Sequence, residues 1–72
     1  MQNYRNSGGD SGVSAYEIGT DYIAVKFSST AKVYIYSYRK AGHVHVENMK
    51  RLAQIGSGLN SYVNRHVKHL YD

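Results

Sequence analysis

The chain reads as an α+β domain: a three-stranded antiparallel sheet followed by two helices, in the order β-β-β-α-α, with both helices on one sheet face. Three observations predict this. Period-two alternation with β-branched residues runs through the first half. The period changes to helical near Ala41 and stays helical to Leu70. Finally, 72 residues are enough for one domain only.

Residues 1–12 are polar and Gly-rich, too poor in apolar groups to offset their ordering entropy. They are expected to form a disordered tail, leaving 13–72 as the single folded domain. This start also lacks the apolar segment of a signal peptide. No run approaches the roughly 18 apolar residues of a membrane span. The cytoplasm is therefore the default compartment.

Val13–Ile18 is the first strand, ended by Gly19 and Asp21. In Tyr22–Phe27, Ile23, Val25 and Phe27 point one way and Ala24 and Lys26 the other. After a turn over Ser28–Lys32, Val33–Tyr38 alternates again, with Tyr34, Tyr36 and Tyr38 on one face. The first helix carries Val46, Met49, Leu52, Ala53 and Gly56 on its inner side. Gly56 serves as a left-handed stop. Leu59, Tyr62, Val63, His66, Val67 and Leu70 form the stripe of the second helix.

The register of the second hairpin decides where the tyrosines look. An even loop centred on Ser29-Thr30 pairs Val25 with Tyr34 and puts the tyrosines under the helices. A three-residue loop pairs Val25 with Ile35 and puts them on the open face beside Tyr22 and Lys26. A one-residue slip exchanges the two faces. The open arrangement is a base-stacking platform. The covered one makes the tyrosines core residues.

Charge narrows the partners. Residues 1–21 hold Arg5 against Asp10, Glu17 and Asp21, a net of −2. Residues 22–71 hold eight Lys and Arg against Glu47 alone, a net of +7. Such a field favours polyanions. The candidate binding residues are Tyr34, Tyr36, Tyr38, Lys26, Arg39, Lys40, Arg65 and Lys68. Ser57, Gly58 and Asn60 join them from a Gly-rich turn whose amides could hold a phosphate.

Catalytic groups are missing. There is no Cys, and Glu47 is the one carboxylate between Asp21 and Asp72, so paired-carboxylate acid–base work has no basis. The expectation is a protein that is not an enzyme. His43, His45, His66 and His69 lack a neighbouring Cys, Asp or Glu to complete a metal shell, so no metal or cofactor is expected.

The strand and helix order, Tyr34-Ile35-Tyr36, and Gly58 followed by Tyr62-Val63-Asn64-Arg65-His66-Val67 together resemble the KTSC domain family. That short domain ends some lysyl-tRNA synthetases and also occurs as small stand-alone bacterial and phage proteins. The resemblance covers about residues 13–71. It implies no enzymatic activity, and its synthetase context implies RNA. Its members generally place a polar or basic residue between the two tyrosines, which implies inward-facing tyrosines; Ile35 stands there in this chain. The expected function is thus binding of nucleic acid, RNA preferred. The alternatives are a bacterial or phage-type protein-interaction or inhibitor module, and a sponge for a nucleotide-like anion. Val33 and Ile35 could also cover a homodimer contact.

Overall fold

The computed structural model describes residues 1–5 and 12–72. The sheet has four antiparallel strands in sequential order: β1 (Gln2–Asn3), β2 (Val13–Ile18), β3 (Tyr22–Phe27) and β4 (Val33–Ser37). Helix α1 (His43–Ile55) comes next in the chain. A short α2 (Leu59–Tyr62) then runs directly into a π-helical segment, Val63–Val67.

The fourth strand corrects the expectation of three. It comes from the supposed tail: Gln2 pairs with Tyr16 and Asn3 with Ala15. Tyr4 then enters the core at 6% exposure. A polar stretch is ordered here by what it adds to, a free sheet edge and one buried aromatic ring. The remainder of the expected tail, residues 6–11, lies outside the described residues.

Strand β2 carries an irregularity at Ser14, where the register against β3 shifts between Val13 and Ala15. A bulge inserts one extra residue and reverses the facing of the residues beyond it. Val13 and Tyr16, three apart, can therefore both be buried on the helix side. Plain alternation would place them on opposite faces. At the other end of β2, the Gly19 amide donates to the Tyr22 carbonyl at 2.9 Å, closing a two-residue turn over Thr20-Asp21.

The β3–β4 register pairs Val25 with Tyr34 and Ile23 with Tyr36. This is the even-loop arrangement, so the tyrosines share the covered face. Burial explains the choice. Ile23 and Val25 are fully buried and Tyr36 is 1% exposed, whereas Ile35 is 42% exposed. Fully burying an aliphatic or aromatic side chain is worth about 1.5–3 kcal/mol, and this register buries the larger set.

Helix α1 closes the core with Val46, Met49 and Ala53. It ends where Gly56 adopts φ 84° and its amide returns to the Leu52 carbonyl, as the glycine's freedom in the left-handed region permits. The expected second helix over 59–70 is corrected: its α-helical part is one turn, and the next five residues are π-helical. Leu59, Val63 and Val67 stay buried, but His66 and Leu70 leave the predicted stripe and are exposed. Among the described residues, no helix is long and apolar enough to cross a membrane.

Candidate functional site

A cleft of about 520 Å³ opens where the far end of the β3–β4 hairpin meets the last helical segment. Its walls are aromatic: Phe27 at the end of β3, Tyr34 and Tyr36 on β4, and Tyr71 near the C-terminus. The rings meet edge to face in a chain. Phe27 and Tyr34 lie 5.6 Å apart at 63°, Tyr34 and Tyr71 4.8 Å at 71°, and Tyr36 and Tyr71 6.4 Å at 85°. These are favourable aromatic geometries.

Tyr71 reaches this place because the chain end runs along the free edge of β4. The Asp72 amide donates to the Ile35 carbonyl at 2.7 Å, and the Ser37 hydroxyl donates to the Asp72 carboxylate at 2.8 Å. Tyr71 is thereby carried over Tyr34 and Tyr36, still 38% exposed. Sequence reasoning misses this residue, since it lies beyond the helical stripe and no local pattern places it.

The rim is polar. Ser29 and Thr30 come from the hairpin turn, Asn60 from α2, and Asn64 from the π-helical segment. Lys68 and His69 lie on the same side. Among the described residues, Lys68 is the one lysine or arginine that lines the cleft, and no carboxylate does. Burial pushes the Tyr36 phenol up to about 12, with Tyr34 and Tyr71 adding to the effect. Tyr36 is therefore a neutral hydroxyl at physiological pH.

Of the candidates read from the sequence, the fold brings Tyr34, Tyr36, Asn60 and Lys68 together. Of the two arrangements the hairpin allowed, the fold takes the covered one and not the stacking platform: Tyr36 is core, and its face is covered by helix and by Tyr71. Tyr38 turns elsewhere. Its ring packs against His43 at 4.5 Å, Lys50 lies 5.1 Å from its centroid, and its hydroxyl donates to Glu47. That bond and the Lys50 ammonium hold the Glu47 carboxyl below its usual range. Arg39 and Lys40 line a separate polar cleft with Ser37 and Asp72. Arg65 is exposed and outside the aromatic cleft. Lys26 lies on the opposite sheet face, paired across the strands with Ala15 and Val33.

The expected phosphate cradle is also corrected. Behind Ser57 and Gly58, the Leu59 amide donates to the Tyr4 hydroxyl at 3.2 Å, an internal cap where an anion would have to sit. The α-helix it opens is a single turn, too short for a macrodipole of consequence.

The histidines divide. His45 and His66 stack at 5.6 Å and 29°, with the Tyr62 hydroxyl 2.7 Å from His45 Nδ1 and accepting from Asn48 at 3.1 Å. The cluster binds α1 to the π-helical segment. Among the described residues, no group of three or more His, Asp or Glu could hold a metal ion.

Comparison with protein-family models, with curated proteins and with solved structures finds no match for this chain.

Proposed function

We propose that the protein is a non-enzymatic module that binds single-stranded nucleic acid, RNA in preference, by taking an unpaired base into the aromatic cleft. The observation that carries this reading is the composition of the cleft. Among the described residues, four aromatic ones form the walls, Lys68 supplies a positive charge, and no carboxylate lines the cleft to oppose a phosphate. Unpaired bases are held by aromatic side chains together with hydrogen bonds to their edges. Asn60 and Asn64 offer both donors and acceptors for such edges, and for a ribose hydroxyl. The basic balance beyond Asp21 draws a polyanion toward this surface. The resemblance to the KTSC family, with its synthetase context, supports the same reading.

A second reading is favoured by one dimension. At about 520 Å³ the cleft falls within the range of small-ligand sites, so a free nucleotide-like anion is the other candidate.

Titration of the isotope-labelled protein with short RNA and with nucleoside monophosphates separates the two. The nucleic-acid reading expects amide shifts at Asn60, Asn64 and Lys68. It also expects affinity that rises with chain length and falls steeply with salt as counterions are released. Tight mononucleotide binding that chain length does not improve would favour the second reading. No shift with either ligand at low salt rejects both.

A further inference from the structure

The rings of the aromatic cleft are closed against one another. A base held between two rings needs their planes about 7 Å apart, twice the contact distance of roughly 3.5 Å. Tyr34 and Tyr71 are 4.8 Å apart between centroids, and Tyr36 and Tyr71 6.4 Å. No base fits between Tyr71 and either of these partners in this arrangement. One ring has to withdraw before a base is sandwiched.

The fold singles out which ring. Phe27, Tyr34 and Tyr36 stand on β3 and β4, whose ladders fix their backbone. Tyr36 is also core, at 1% exposure. Tyr71 belongs to residues 70–72, which have no regular structure. This strap is fastened along the outer edge of β4 rather than woven into the sheet. The Asp72 amide donates to the Ile35 carbonyl, and the Asp72 carboxylate accepts from the Ser37 hydroxyl at 2.8 Å. The Lys40 amide donates to the Ser37 oxygen at 3.3 Å, which turns the hydroxyl proton toward Asp72. Arg39 and Lys40 line the cleft that holds this carboxylate, and their charges favour it there. These few bonds, all at an exposed edge, oppose the ordering entropy of three residues. Segments so weakly held are the ones that open locally.

We propose that residues 70–72 form a gating strap of the aromatic cleft, latched by the Ser37–Asp72 hydrogen bond, which lifts off β4 to admit an unpaired base and then closes Tyr71 over it. The gate rests on the nucleic-acid reading of the cleft and adds how a base enters it. Tyr71 is then both the entry barrier and the second ring of the sandwich. Opening sets the association rate, as lid motions do in other binding sites. The latch sets how long a bound base stays.

A pinned strap tests the gate. The chain has no cysteine, so Ser37→Cys combined with Asp72→Cys offers two thiols and no others. A short thiol-bridging reagent then ties the strap to β4. Stopped-flow binding of a short fluorescent oligouridylate compares the bridged and unbridged forms of this double variant. Bridging is expected to slow association about tenfold or more. Ser37→Ala, which removes only the latch, is expected to raise both the association and the dissociation rate constants. Unchanged association after bridging would overturn the gate, because a turn of the Tyr71 side chain would then suffice. No binding by the parent chain overturns the nucleic-acid reading and the gate with it, whereas a bridge without effect overturns the gate alone. One measurement needs no ligand. Burial, with Tyr34 and Tyr71 adding to it, pushes the Tyr36 phenol up to about 12. Asp72→Ala should lower its alkaline titration toward 10.0 by freeing the strap. A Tyr36 titration unmoved by Asp72→Ala overturns the latch whatever the cleft binds.

Discussion

The Tyr4 hydroxyl accepts a hydrogen bond from the Leu59 backbone amide at 3.2 Å, across 55 residues of chain. The contact joins the first strand to the start of α2, and both residues are buried. Tyr4→Phe keeps the ring and removes the acceptor. Leaving a buried amide without this partner costs about 1–3 kcal/mol. Urea denaturation should show that loss, with a larger one of about 3–5 kcal/mol for Tyr4→Ala. Wild-type stability in both variants would mean that residues 1–5 contribute nothing to the fold.

The same crossing fixes Gly56. Its φ is 84°, and a Cβ built there would lie 2.5 Å from the Arg5 Cβ. Gly56→Ala therefore has two costs: about 1–2 kcal/mol for the left-handed backbone, and a steric one against Arg5. Arg5→Gly in that background should recover the steric part alone. A double-mutant cycle by chemical denaturation measures the difference, with the coupling assigned to the pair.

Tyr36 predicts alkaline behaviour. Its phenol is raised from 10.0 to about 12 by burial. Between those values the unfolded chain has released this proton and the folded chain has kept it. The stabilisation is complete below pH 10 and is lost as pH rises through the folded value. Each pH unit in that window removes about 1.4 kcal/mol. The stability difference between the wild type and Tyr36→Phe should shrink accordingly, because the other tyrosines cancel. A difference that stays constant up to pH 12 would falsify the assignment.

The cleft and the open sheet face make opposite demands on two lysines. Lys68→Ala should weaken RNA binding and reduce the salt slope by about one, whereas Lys26→Ala should change neither. Tyr71→Ala should lower affinity by about 1–3 kcal/mol, at a smaller cost in melting temperature than Tyr36→Ala. Fluorescence titrations at several salt concentrations provide all of these values. Equal losses from Lys26→Ala and Lys68→Ala would move the ligand to the other face.

Part of the candidate site is legible in the sequence because it depends on parity. Val25 and Tyr34 share a face whenever the loop between them is even, and the alternation of both strands is plain. Lys68 and Asn60 are also readable there, though for different reasons: one as a phosphate contact, the other as part of a turn. Tyr71 and Phe27 are not readable as ligand contacts. Nothing adjacent to Tyr71 shows that Asp72 bonds to Ile35, and Phe27 reads simply as the last inward residue of its strand.

The sequence by itself determined strands β2, β3 and β4, the α1 stripe, the Gly56 stop and the basic balance. Each of these is local, set by backbone geometry or by counting. The tertiary structure decided what depends on distant partners. Tyr4 is core only because Leu59 and the sheet edge receive it. His66 leaves the apolar stripe only because the helix widens to a π-turn beside His45. Tyr34, Tyr36 and Tyr71 form one cleft only because the chain end docks on β4. Such contacts close long loops, and their reward appears only when the whole core assembles, so no window of sequence displays them.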